Sequence, residues 1–194
     1  TASEDEAAAR IIEELRVSVR YRKISDVPVG VFLSGGLDSS INAVLFSEGE
    51  SRPVRTFSIG YDRDYQSYKN EFAYARIMAD RIGSEHREMR LTPDDLIDFL
   101  PRLIHHQDEP IADPVCVPVH FVSQLARDNG VIVCHVGEGS DELFGGYPAW
   151  MKAIRLQRLS DLPLTRSLKK AGLAFLKMRG RERRTCYEWH RRGS

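Results

Sequence analysis

The sequence predicts an α/β fold, a doubly wound parallel sheet with helices on both faces. Three observations carry this expectation. Apolar, strand-like runs alternate with stretches of helical periodicity along the first 150 residues. The connections between successive strand-like runs contain helices, as parallel pairing requires. Two glycine-rich motifs, at Ser34-Gly35-Gly36 and from Gly137 onward, fall directly after apolar runs, at the carboxyl ends of strands where such sheets hold ligands.

The elements follow in order. Ser3 is placed to cap a helix over 4–21, whose Ile11, Ile12, Leu15 and Val19 form an apolar stripe. The run 29–33 (Val29, Val31, Phe32, Leu33) is a buried strand that turns through two glycines into a helix over 37–46. A loop at 49–53 leads to a second strand over 54–60. The polar segment 62–69 reads as a loop, either mobile or closing over a ligand. A helix over 70–82 stops at Gly83, and a third strand spans 86–91. Thr92 is the cap and Pro93 the first residue of a helix running to about His105. A further helix over 117–129 ends at Gly130 and feeds a strand over 131–136. His105 and His106 fall at a helix C-terminus, where a cation suits the helix dipole. Residues 1–150 thus form the core of one domain. Residues 151–194 are a basic, mainly helical continuation, with the tract Lys177-Met-Arg-Gly-Arg-Glu-Arg-Arg-Thr185 read as a solvated face. A phosphate- or RNA-binding tail is the other reading, but aromatic interleaving there is limited to Tyr187 and Trp189.

Composition excludes several classes of function. The chain has 194 residues with 28 basic and 28 acidic side chains, so overall charge argues for neither nucleic acid nor membrane as partner. No signal peptide and no apolar stretch of roughly 18 residues is present. Cys116, Cys134 and Cys186 are scattered without a C-x-x-C pair, which reads as reduced thiols in a cytoplasmic protein.

The segment Ser34-Gly35-Gly36-Leu37-Asp38-Ser39-Ser40 carries the chemistry. A strand that turns through glycines into a helix presents free backbone N–H groups and the positive helix end to one point, which suits a phosphate. Ser34, Ser39 and Ser40 add hydroxyl donors, and Asp38 adds a carboxylate able to hold magnesium beside that phosphate. The Gly-Lys-Ser/Thr of a Walker A loop is absent. The second motif, Gly137-Glu-Gly-Ser-Asp-Glu-Leu-Phe-Gly-Gly-Tyr147, puts carboxylates between glycines. Alone it reads as a solvated acidic turn capping a helix at Ser140.

The first motif resembles the Ser-Gly-Gly-x-Asp-Ser pyrophosphate loop of the ATP pyrophosphatase superfamily. With the second motif about 100 residues later, and Asp108-Glu-Pro-Ile-Ala-Asp-Pro114 between them, residues 8–150 resemble the synthetase domain of the glutamine-dependent asparagine synthetase family. The resemblance implies an adenine nucleotide alpha-hydrolase-like fold and cleavage of ATP between the α and β phosphates. A carboxylate, aspartate as the best guess, is adenylated for attack by glutamine-derived ammonia, and AMP and pyrophosphate are released. Carried over by position, Ser34, Gly35, Gly36, Asp38, Ser39 and Ser40 bind the pyrophosphate moiety. Leu33, Ile59, Val136 and Gly137 enclose adenosine, and Asp38 and Asp141 share a magnesium ion. Glu138 is the residue linked to acyl-adenylate formation, by positioning acceptor or ammonia.

Family members carry an N-terminal glutaminase domain that supplies ammonia, and the full-length enzyme is open to homodimer formation. This chain begins Thr1-Ala2-Ser3 with no cysteine before Cys116, and it lacks the later lysine and the Arg-x-Pro-Phe-Leu-Asp-like segment of the family. It is therefore expected to be a piece of a longer enzyme that holds nucleotide without turning over. The 108–114 segment is acidic where aspartate-specific members carry a basic residue. That leaves open an amidotransferase acting on a sugar acid or peptide carboxylate. Two other classes stay open. One is a tRNA-modifying or nucleotide-synthesising relative, whose thiolating members carry cysteine pairs. The other is a non-catalytic ATP-binding module.

Overall fold

The computed structural model describes residues 3–63, 70–109 and 113–160. The expectations for most of the 62–69 loop, for the middle of the 108–114 segment and for the basic stretch beyond 160 lie outside the described residues. The chain divides into two compact units, Thr1–Glu138 and Gly139–Ser194, each taken by itself below.

The first unit is built on four parallel strands, β1 (Val29–Phe32), β2 (Arg55–Tyr61), β3 (Glu85–Leu91) and β4 (Val133–His135), in the order β3-β2-β1-β4. From β1 the chain steps outward to β2 and β3, then returns across the sheet to place β4 on the other side of β1. The strand order therefore reverses between β1 and β4, and an open parallel sheet has its ligand crevice at such a point.

Alternation along the strands sorts the core onto two faces. Val31 and Leu33 point to the face covered by α1 (Glu4–Arg22), α2 (Leu37–Ser47) and α3 (Phe72–Ile82), where they pack with Val19, Ala43, Leu45, Phe46, Ala75 and Ala79. Phe32 and Phe57 point to the opposite face, against Val122, Ala126 and Val131 around α5 (Cys116–Asp128). Farther along that face Leu91, Phe99 and Val117 join α4 (Pro93–Gln107) to α5. Helices thus cover both faces, as the alternating pattern predicts.

Local chemistry sets the element ends. Ser3 caps α1 in a reciprocal pair with Glu6, and Thr92 caps α4 in the same way with Asp95. The Thr92 bonds hold the Asp95 carboxyl below its ordinary range, so this contribution is present at neutral pH and is lost as pH falls through the lowered value. Gly83 ends α3 at φ 63°, a left-handed conformation that glycine adopts without penalty. The last strand is shorter than the 131–136 expected. Val131 N–H is spent on Ala126 O in the turn closing α5, and the N–H groups of Ile132 and Val133 both reach Pro28 O, so regular pairing with β1 starts only at Val133.

In the second unit, α6 (Ser140–Phe144) starts after Gly139 at φ 104°. The cap is this glycine rather than Ser140, because the chain turns there through a left-handed conformation that serine avoids. A second left-handed glycine, Gly145 at φ 71°, ends the helix, and α7 (Pro148–Ser160) follows. No helix among the described residues is long and apolar enough to cross a membrane.

Candidate active site at the carboxyl ends of β1 and β4

The sequence from β1 into α2 folds as a compact hydroxyl-braced turn. Leu33 N–H donates to Phe57 O (2.9 Å), which carries the β1–β2 ladder one residue past the strand. Ser34 N–H donates to Ser39 Oγ (3.2 Å), and the Ser34 and Ser39 hydroxyls are 2.9 Å apart. Gly36 N–H donates to Ser34 Oγ (3.2 Å), and Ser39 Oγ donates to Gly36 O (3.2 Å). Ser34 and Ser39 thus link the two ends of the turn. Ser58 Oγ also donates to Leu33 O, tying the turn to β2.

The two glycines have different jobs. Gly35 sits at φ 86°, and a Cβ there would stand 2.6 Å from Ala75 N and 2.7 Å from Tyr74 Cβ. The loop therefore rests directly on the first turn of α3. Gly36 has φ −68°, and a Cβ there would meet only Ser34 Oγ, at 3.3 Å. Gly36 is the N-cap of α2 and supplies no capping side chain. The start of α2 thus has no capping side chain from its own N-cap residue, an arrangement compatible with an anion at a helix N-terminus. Asp38 lies in this first turn.

β4 closes the other side. A Cβ on Gly137 would stand 2.6 Å from Asp38 O and 2.9 Å from Ser39 Cα, so only a glycine lets β4's exit lie against the start of α2. Glu138, exposed, follows immediately. Residues from the two motifs, about 100 positions apart in sequence, are thereby brought together within one unit.

The expected adenosine-enclosing residues are distributed unevenly. Leu33 is 1% exposed and packed in the core, so its side chain has no surface left to offer. Ile59 is partly buried among the side chains of the opposite face. Val136 is 53% exposed beside Gly137. Asp141 belongs to the second unit, where its backbone O accepts from Gly146 N–H at 3.1 Å and a Cβ on Gly146 would overlap its carboxylate. Among the described residues no group of three or more His, Cys, Asp or Glu is arranged to hold a metal ion.

Other titratable groups serve the fold. Burial pushes the Cys134 thiol up to about 11, partly offset by a hydrogen bond from the Gly30 backbone, so at neutral pH it stays a thiol. Burial also lowers His120, which stacks on Phe99 with ring centroids 4.0 Å apart. Two features escaped the sequence reading: the support of the loop by Tyr74 and Ala75, and the side-chain amide of Asn70 at the end of β2. The available signals were Gly60 ending a strand and an asparagine just before a helix.

Comparison with known proteins adds the family. Residues 10–192 match the family model described as asparagine synthase. A similar relative is asparagine synthetase [glutamine-hydrolyzing] 1 of Bacillus subtilis, 35% identical over 160 residues, covering 82% of this chain and 24% of that protein. A putative asparagine synthetase [glutamine-hydrolyzing] of Mycobacterium bovis is 39% identical over 158 residues, with 80% and 24% covered. The chain spans about a quarter of the length of these curated relatives. Among solved structures, an NH3-dependent NAD synthetase from Campylobacter jejuni superposes with a TM-score of 0.45 at 15% identity, over 72% of this chain and 60% of that one.

Proposed function

The chain belongs to the asparagine synthase family, and on that premise we propose that it is the ATP-using synthetase part of an amide-forming ligase that converts aspartate to asparagine. The observation that carries the proposal is the turn at Ser34–Ser39, where an α2 N-terminus without a capping side chain, two glycines and the Ser34 and Ser39 hydroxyls converge. That arrangement suits pyrophosphate. In this reading Ser34, Gly35, Gly36, Asp38, Ser39 and Ser40 hold the phosphates, with Val136, Gly137, Ile59 and the Leu33 backbone toward the nucleoside. An oxygen of the acceptor carboxylate attacks the α-phosphorus, pyrophosphate leaves, and ammonia then displaces AMP at the carbonyl carbon. Glu138 orients the acceptor or the ammonia.

Magnesium fits the donor set. The ion takes one or two carboxylates together with substrate phosphates and waters, so it needs no preformed protein cage. By the family resemblance Asp38 and Asp141 would supply its carboxylates, and the ion would supply neutralising charge for the pyrophosphate. Asp38→Asn should weaken Mg·ATP binding by about tenfold or more while changing AMP affinity little, because the metal serves mainly the β and γ phosphates. Titration calorimetry with both nucleotides checks this, and equal losses for the two would remove Asp38 from the metal site.

The name given to the relatives includes glutamine hydrolysis. A glutaminase domain of the same full-length polypeptide would supply the ammonia, in a cytoplasmic and homodimeric enzyme. The deciding experiment is pyrophosphate release by the full-length protein with ATP, ammonia and a panel of aspartate, sugar acids and short peptides. Aspartate should dominate and yield asparagine. Release with only a sugar acid or peptide would move the assignment to another carboxylate, the reading favoured by the acidic 108–114 segment. Nucleotide binding without release under any condition would leave a non-catalytic ATP module.

A further inference from the structure

Beside the phosphate loop stands a polar contact that the proposed chemistry does not use. Leu33 N–H donates to Phe57 O, and Asp62 N–H donates to Leu91 O, each at 2.9 Å. Along a parallel strand, successive residues point their peptide groups to opposite neighbours. Odd-numbered residues of β2 therefore face β1 and even-numbered ones face β3. Tyr61 is odd, so it turns its N–H and C=O to the side that β1 has already left to enter the phosphate loop.

The side chain of Asn70 takes that place. Tyr61 N–H donates to Asn70 Oδ1 at 2.7 Å, and Asn70 Nδ2 donates to Tyr61 O at 3.0 Å. A primary amide offers the same donor and acceptor as a peptide, so it adds one rung where the neighbouring strand has run out. Gly60 leaves the room for this. A Cβ there would stand 2.6 Å from Asn70 Oδ1 and would overlap the Phe72 ring. Helix α3 then begins at Phe72, and its own cap residue, Glu71, makes no side-chain capping bond. The start of the helix is thus held by bonds to β2 rather than by a local cap. Its first turn is the surface on which Gly35 rests, with Ala75 N and Tyr74 Cβ against it.

We propose that Asn70 is a positioning residue for the phosphate loop: by pairing with both peptide groups of Tyr61 it sets the start of α3, and so the surface against which Gly35 is held. The proposal deepens the ATP-binding reading of the loop and rests on it. Asparagine is specific to the task. Aspartate keeps the bond from Tyr61 N–H but cannot donate to Tyr61 O, and alanine keeps neither.

The test uses the full-length protein carrying Asn70→Ala or Asn70→Asp. Hydrogen exchange is followed without nucleotide, and KM for ATP and kcat are measured with ammonia and the preferred acceptor. Asn70→Ala should raise KM for ATP about tenfold, the scale of losing two modest hydrogen bonds, with kcat within about twofold. Amide exchange over 34–39 should accelerate by about the same factor while the β2–β3 ladder keeps its protection. Asn70→Asp should fall between wild type and alanine on both readouts, and it carries the test should the alanine variant fail to fold. Wild-type exchange over 34–39 and wild-type KM in both variants would overturn the proposal. So would uniform acceleration through the whole sheet, which marks a merely structural role. A wild-type protein that shows no ATP-dependent reaction, yet whose 34–39 exchange responds to Asn70, would overturn the functional reading of the loop and leave the positioning role standing.

Discussion

Gly35→Ala and Gly36→Ala, one position apart, are expected to fail in opposite ways. At Gly35 the backbone is left-handed, φ 86°, and an added Cβ would sit 2.6 Å from a backbone nitrogen of α3. Left-handed backbone costs an alanine about 1–2 kcal/mol, and forcing two packed segments apart adds about 1–3 kcal/mol. Gly35→Ala should therefore lose about 3 kcal/mol in urea denaturation, a large part of a typical domain's stability. At Gly36 the backbone is ordinary, φ −68°, and the nearest atom is the Ser34 hydroxyl at 3.3 Å, which needs to give by only a few tenths of an ångström. Gly36→Ala should keep the fold within about 1 kcal/mol, since alanine is only a somewhat poorer cap. If the proposed phosphate site is right, its methyl group obstructs close approach of backbone to phosphate, and ATP affinity should drop by at least about tenfold. Calorimetry and denaturation on the same samples separate the effects. A Gly36→Ala protein that binds ATP like wild type would remove the loop from the nucleotide site.

Glu138→Gln in the full-length enzyme should suppress amide formation by about 100-fold or more, the scale of losing one positioned acid–base or orienting group. ATP affinity should stay within about twofold, because Glu138 follows the loop contact made by Gly137 and is exposed rather than built into the turn. Coupled measurement of pyrophosphate release and product, beside nucleotide titration, gives both numbers. Full product formation by the variant would take the proposed role from this residue. Loss of ATP binding in parallel would make it part of the nucleotide site instead.

The order of strands and helices, the caps at Ser3 and Thr92 and the glycine stop at Gly83 were legible in the sequence, because each depends on residues within a few positions of one another. The turn from β1 into α2 was legible for the same reason: strand, glycines, hydroxyls and helix start are contiguous. The reading fell short where the deciding partner is remote. β4 is shorter than its apolar run because Pro28, on a different segment, takes two of its N–H groups. The burial of the Leu33 side chain in the core with α1, α2 and α3 likewise depends on remote partners.

The sequence by itself therefore determined the parallel α/β class, the two glycine-rich motifs at strand ends and the family to which they belong. Periodicity, turn chemistry and motif spacing are written along the chain and need no third dimension. Only the tertiary structure decided which glycines are packed against other segments and which is left open. Tyr74 and Ala75 lie beneath Gly35 and Asp38 lies against Gly137, whereas Gly36 has only the Ser34 hydroxyl near it. Likewise, Asn70 became visible only once β1 was seen to leave β2 before Tyr61, where a side-chain amide pairs with the Tyr61 N–H and C=O. Such contacts join residues far apart in the chain. Their residue types are ordinary, and close packing, rather than any local pattern, makes them matter.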